Sequence, residues 1–309
     1  MTSLNATRIH LSFGIVSFLL IFANVALCQK PEKISACQLQ TDPAAFNQKL
    51  IEVTGFISQG FEDFTLSDPG CASNKAIWLE YGGTARAGTI YCCGVTADRS
   101  RAKQLEVEGM SIPLVEDQKF SEFDKLIHRL PDSVVHATIV GRFFAGRKVQ
   151  RQQTTSWEGY GHFGCCSLLA IQQVLSVDPQ NRKDVDYGAS PDQPRLDKVG
   201  CGFQFLSIEP FSNPIEAQKA AENNQRDWAF TDPQRVAQEL LSRYEKKEPF
   251  PNLKEIRKVQ GRVVYEWKTS QKNVIYTIVV SRPYFLSFYS KDPNRVAWVV
   301  SAAYKSGCD

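Results

Sequence analysis

The chain has 309 residues, about twice the length of a typical domain, so two domains are expected, each able to bury its own core. Hydrophobic residues make up 43% and charged residues 22%, which excludes a disordered, collagenous or low-complexity chain. With 36 Lys and Arg against 33 Asp and Glu the formal charge is +3, too balanced to imply a polyanionic partner.

The N-terminus reads as an address. A polar opening with Arg8 and His10 precedes an apolar run from Leu11 to Leu27, and Ala26 and Cys28 fill the small-residue positions of a cleavage site. Residues 1–28 are therefore expected to be a signal peptide, leaving Gln29 as the mature N-terminus. An uncleaved anchor is the alternative, as is a lipid anchor on Cys28, although Leu27 stands where a lipobox has a small residue. No later stretch is apolar and long enough for a transmembrane segment, so the rest of the chain is expected to be exported to the periplasm or the extracellular space.

The cysteines fit that address. Nine are present, and removing Cys28 leaves eight, an even number that reads as disulfides in an oxidising compartment. Cys201 and Cys308 stand near the ends of the C-terminal domain and are expected to pair. Cys37, Cys71, Cys92, Cys93, Cys165 and Cys166 are expected to pair among themselves, with 15 arrangements open. Adjacent cysteines on a strand point to opposite faces, so Cys92-Cys93 and Cys165-Cys166 are each expected to split between two partners. The mature sequence has no N-x-S/T sequon, which favours a bacterial cell envelope over a eukaryotic secreted protein.

A polar, proline-containing stretch from 178 to 199 without hydrophobic period reads as a linker between a domain at 29–177 and another at 200–309. In the first, Asp42-Pro43 opens a short helix from Ala44 to Lys49. Ile51, Val53 and Ile57 then alternate with polar residues through a strand that Gly55 bends. Strands follow at Phe64 to Leu66 and Ala76 to Tyr81, with a hairpin partner at Thr89 to Val95. Phe120, Phe123, Ile127 and Leu130 mark an amphipathic helix ending at Pro131, and Val134 to Phe144 and Ser167 to Val177 are the last two strands.

Three strands, a helix and two strands, with a glycine-bent first strand, is the order of an OB-type barrel. The stretch from Asn47 to Ile57 with Leu66-Ser67-Asp68-Pro69, Cys71 and Gly161-His162 resembles exported bacterial proteins of uncharacterised activity that carry an OB-fold-like domain. The resemblance covers residues 37–177 and implies an all-β barrel with one or two helices but no activity, because OB barrels host many functions.

The C-terminal domain reads as α+β. Asn213-Pro214 and Asp232-Pro233 start helices running to about Asn224 and Lys247. Strands are expected at Arg262 to Lys268, Val274 to Val280, Tyr284 to Tyr289 and Val296 to Tyr304.

Candidate chemistry concentrates in Ser156 to Cys166, where three glycines, three aromatics and His162 coincide. In the OB reading this is the loop between strands 4 and 5, and Gln59-Gly60-Phe61-Glu62 is the second loop that lines the binding surface. Trp157, Tyr160, His162, Phe163 and Phe61 are thus the candidate ligand residues, suited to stacking on a saccharide or a peptide side chain. The structural alternative is that these rings plug one end of the barrel.

His162, Cys165, Cys166, Cys92 and Cys93 also carry metal-ligand chemistry, but exported thiols oxidise first and no cofactor is expected. His128, on the helix, and His136, on a strand, read as structural. Arg142, Arg147, Lys148 and Arg151 beside Phe143 and Phe144 imitate a nucleic-acid patch. Residues 29–199 carry 19 basic and 21 acidic side chains, so a solvated hairpin tip is the better reading and no nucleic acid is expected. The expectation is an exported binding or interaction protein, with an envelope enzyme using His162 and a carboxylate such as Glu158 as the rival.

Overall fold

A computed structural model describes residues 30–60, 63–72, 76–87, 99–129, 133–151, 154–161, 164–187, 204–208, 213–223, 225–245, 250, 253–269 and 274–307. The expected signal segment, the strand at Thr89 to Val95 with Cys92 and Cys93, and the pair Cys201 and Cys308 lie outside these residues.

The N-terminal part opens with β1 (Glu32–Lys33) and α1 (Ala36–Thr41). A capping box starts α1: Ser35 Oγ accepts from Gln38 N at 3.2 Å, and Gln38 Oε1 accepts from Ser35 N at 3.1 Å. This helix has no counterpart among the elements expected from the sequence, and the helix expected at Ala44 to Lys49 is a single 3-10 turn at Pro43–Phe46. Then follow β2 (Leu50–Gln59), β3 (Phe64–Ser67), β4 (Ile77–Tyr81), the small hairpin β5 (Glu106–Val107) and β6 (Met110–Ser111), and α2 (Gln118–Ile127). After α2 come β7 (Ser133–Phe144), a second hairpin of β8 (Arg147–Arg151) and β9 (Thr154–Glu158), and β10 (Leu168–Val177).

Five of these strands close on themselves. β2 pairs antiparallel with β7 from Leu50↔Arg142 to Gln59↔Ser133, and beyond Phe56 also with β3. β3 pairs antiparallel with β4, β4 runs parallel to β10, and β10 returns antiparallel to β7, which completes a ring. Alternate side chains point inward, as a period of two requires: Ile51, Val53, Ile57, Leu66, Leu79, Ile139 and Leu169 are all buried in one core. α2 adds Phe120, Phe123 and Ile127 to it, with the Phe120 ring edge-on to Tyr81 at 5.1 Å. The disulfide Cys37–Cys71 ties α1 to the turn after β3 and closes a 34-residue separation. In the chain-entropy model such a loop contributes about 4 kcal/mol. A smaller core outside the ring packs the β5–β6 hairpin, through Val107 and Ile112, on Trp78, Phe144 and Leu168.

The C-terminal part comprises β11 (Gln204–Phe205), α3 (Pro214–Glu222), α4 (Pro233–Tyr244), β12 (Lys254–Val259), β13 (Arg262–Lys268), β14 (Ile275–Ser281) and β15 (Val299–Ser306). Both helices begin as expected, with Asn213 and Asp232 accepting first-turn N–H groups and proline at the first helical position. The strands form one antiparallel sheet in the order β11-β15-β14-β13-β12, and α4 covers the face that carries Val263, Tyr265, Ile278 and Val280.

Two differences from the sequence reading are physical. β12 was not anticipated, because an edge strand exposed on both faces lacks apolar alternation and carries a register shift between Glu255 and Arg257. Tyr284 to Tyr289 is not a strand. A 3-10 helix at Tyr284–Phe288 follows Pro283, with Leu286 N bonding Pro283 O, and its aromatic side chains are used for packing between the two parts of the chain.

That packing is specific. Phe56 on β2 meets Phe285 at 6.1 Å and Phe288 at 5.2 Å, and His136 on β7 lies 4.0 Å from the Phe288 ring. Tyr289 Oη donates to Asp68 and accepts from Gly70 N. Residues 178–187, the described beginning of the stretch read as a linker, are packed: Val185 and Tyr187 are buried with Tyr284 and Leu286. Val134 N bonds Tyr187 O on one side, and Asp186 pairs with Arg262 at 2.6 Å on the other. The four described α-helices include none long and apolar enough to cross a membrane.

Candidate functional site

The segment after β7 builds the described cleft. β7 ends in buried Phe144, Ala145-Gly146 turns the chain, and the β8–β9 hairpin returns it to Gly159 and Tyr160. Tyr160 then pairs with Cys166 through two backbone hydrogen bonds, Tyr160 N to Cys166 O at 2.7 Å and Cys166 N to Tyr160 O at 3.0 Å. This closes the loop before β10 starts. Gly161 (φ +75°) lies flat on Trp78, where a Cβ would stand 2.3 Å from the indole Cε3. Only glycine accepts both the left-handed backbone and that approach.

The loop and the hairpin face the 3-10 turn and the tip of the β5–β6 hairpin across an open cleft of about 930 Å³. Its lining includes Pro43, Asn47, Glu108, Arg147, Glu158 and Tyr160. Each polar wall group is held. Tyr160 Oη donates to Glu108 Oε1 at 2.8 Å, and Gln48 Nε2 donates to Glu108 Oε2 at 2.8 Å. Asn47 Oδ1 accepts from Ala145 N at 2.9 Å, which fixes one wall to the end of β7. Arg147 and Glu158 oppose each other on the first rung of the hairpin, 3.4 Å apart. Burial and then the hydrogen bond to Glu108 push the Tyr160 phenol well above its ordinary value, so at neutral pH it is a neutral donor.

Of the expected ligand residues, Tyr160 lines this cleft, and Trp157 belongs to β9, opposite Lys148. His162, Phe163 and Phe61 lie outside the described residues. The two loops expected to share one surface leave opposite ends of the ring: Gln59, which leads to Phe61, pairs with Ser133, whereas the hairpin departs beyond Arg142, the partner of Leu50. Glu108, Asn47 and Gln48 were missed. Val107-Glu108-Gly109-Met110, an X-Gly turn between apolar residues, was the legible signal for the hairpin that presents Glu108.

The cysteines differ from expectation at one point. Cys165 and Cys166 are joined to each other, not split, because the loop between Gly164 and Ser167 is no strand and their side chains are not forced to opposite faces. Their sulfurs, like those of Cys37 and Cys71, are spent. Cys37, Asp68 and Cys71 have metal-ligand spacing among the described residues, but both thiols are in the disulfide.

The basic and aromatic patch dissolves as well, since Phe143 and Phe144 are buried in two cores. His128 is held by two backbone carbonyls, Asp124 O at 2.7 Å and Ala87 O at 2.8 Å, and His136 by Asp178.

No family model, no curated protein and no solved structure matches this chain significantly.

Proposed function

We propose that the chain is an exported binding protein whose N-terminal part is an OB-type barrel and whose ligand, a saccharide or a short peptide, occupies the cleft at Tyr160. The ring order, with a helix between its third and fourth strands and one parallel pair between its third and fifth, supports the barrel reading. The Cys37–Cys71 disulfide is compatible with an oxidising compartment.

The observation that carries the reading is the cleft itself. Polar groups from four separate segments converge on it, each already fixed by a neighbour, and pre-fixed polar groups around an aromatic ring are what a small polar ligand needs. The test is binding of the full mature chain to arrays of oligosaccharides and short peptides, repeated with Tyr160→Ala. Binding by the wild type that Tyr160→Ala loses supports the reading. An empty array, or binding indifferent to the substitution, contradicts it.

A further inference from the structure

The walls of the cleft carry three charged side chains, and they are not equivalent. Arg147 and Glu158 face each other across one hairpin rung and offset each other's charge. Glu108 is different. Its two carboxylate oxygens each accept one hydrogen bond, from the Gln48 amide and the Tyr160 hydroxyl, both at 2.8 Å. Both donors are neutral, so they fix the carboxylate in place without cancelling its charge, and each oxygen keeps a further lone pair. Among the described residues no cation pairs with it.

An exposed glutamate ordinarily moves freely, and a ligand that captures it must order it first. Here that ordering is already done by groups from β9's loop and the turn before β2. The unpaired charge sits on the wall of a cleft wide enough for a di- or trisaccharide or a few residues of peptide. Any donor makes a charge-assisted hydrogen bond to a carboxylate, and an ammonium adds to it the attraction between opposite charges, which a neutral hydroxyl lacks. A hydroxyl therefore gains less from Glu108 than a protonated amine does, and an anionic ligand is repelled.

We infer that the cleft selects ligands bearing a primary ammonium group and that Glu108 holds that group; the inference rests on the cleft being a binding site. The ammonium belongs either to an aminated sugar or to the amine of a short peptide, and the probes separate these sources.

The experiment is titration calorimetry on the full mature chain with two matched pairs: the glucosamine trisaccharide against its N-acetylated form, and a Gly-Lys-Gly peptide against the same peptide acetylated on both amines. Each pair is run on wild type and on Glu108→Gln. The amide keeps the shape of the side chain, and Gln48 and the Tyr160 hydroxyl can both reorient toward it. The expected result is that one free-amine probe binds about tenfold tighter than its acetylated partner, that Glu108→Gln abolishes the advantage, and that raising salt shrinks it.

The pair that shows the advantage names the source. Equal binding of amine and acetylated probes in the wild type overturns the inference and leaves the binding reading standing. An amine preference that survives Glu108→Gln overturns it too, by placing the charge on another group. If no probe binds, the inference falls, and the array with Tyr160→Ala judges the binding reading separately. Should Glu108→Gln fold poorly, Glu108→Asn is the second variant, because Asn-Gly suits the left-handed turn at 108 and 109.

Discussion

Gln48 and Glu108, sixty positions apart, are the two described non-glycine residues with positive φ, at +61° and +51°, and their side chains are hydrogen-bonded to each other at 2.8 Å. A left-handed backbone costs a non-glycine residue about 1–2 kcal/mol. Here the cost falls twice at one wall of the cleft, and what it sustains is the placement of a carboxylate. Glu108→Asn keeps a turn that Asn-Gly adopts readily and shortens the side chain out of reach of Gln48 and Tyr160. Thermal unfolding is expected to show an unchanged or higher Tm, by about 2 °C, while the preference for the free-amine probe is lost. A Tm several degrees lower would mean that the carboxylate serves the fold.

Gly109 and Gly161 provide a matched comparison. Both are left-handed, at +77° and +75°, but a Cβ on Gly109 meets nothing within 4 Å, whereas on Gly161 it runs into the Trp78 ring. Gly109→Ala therefore measures backbone strain alone, about 1 kcal/mol. Gly161→Ala must add the cost of lifting the loop from Trp78, and it is expected to lower Tm by at least twice as much and to blue- or red-shift Trp fluorescence as the indole surroundings change. Equal losses in the two variants would show that the loop is not seated as described.

His128 links stability to pH. Both of its ring nitrogens face acceptors, Asp124 O and the Asp124 carboxylate on one side and Ala87 O on the other, so both contacts are made only by the imidazolium. Burial lowers its pKa, but the hydrogen bonds to Asp124 and Ala87 outweigh burial and raise it. Burial likewise raises Asp124, and His128 and Arg99 outweigh that and hold it low.

The signs follow from linkage. The His128 contribution is complete below the ordinary value of 6.5 and is lost as pH rises through the higher folded value. The Asp124 contribution is complete above 3.8 and is lost as pH falls through the depressed one. The Tm difference between wild type and His128→Gln is therefore expected to be greatest near pH 5, about 3 °C or more, and to narrow steadily above pH 7. A difference that widens with rising pH contradicts the assignment.

The strap from 178 to 187 is fastened to the C-terminal part by Asp186, whose carboxylate accepts from Arg262 Nε at 2.7 Å and pairs with its second guanidinium nitrogen, both side chains being only 12% exposed. Arg262→Ala removes the guanidinium partner of a carboxylate that is only slightly exposed and is expected to cost about 3 kcal/mol. Adding Asp186→Ala removes the charge that Arg262 had offset and should recover part of the loss. A double variant no more stable than the single one would show that packing, not the ion pair, fastens the strap.

How far the sequence could be read depended on periodicity. The ring strands were legible because Ile51, Val53 and Ile57, or Val135, Ala137 and Ile139, alternate inward against one core, and α2 because its phenylalanines recur on one face. β12 was not, since an exposed edge has no buried face to mark, and the Tyr284–Phe288 helix was not, since its apolar residues serve a contact between parts distant in sequence. At the site, Tyr160 was legible from local composition. Glu108 and Gln48 were not, because their role depends on a left-handed backbone and a contact across sixty positions, neither of which leaves a period in the sequence.

In the proposed binding function the rings of the segment after β7 serve a ligand and do not plug the ring of strands. Thermal unfolding of the double variant Trp157→Ala, Tyr160→Ala tests it without knowledge of the ligand. Rings that serve a ligand and not a core contribute little to stability, so a Tm within about 3 °C of wild type is expected, together with loss of array binding. A buried aromatic truncated to alanine costs about 3–5 kcal/mol, so a Tm lower by roughly 10 °C or more would show that these rings are core and would contradict the account.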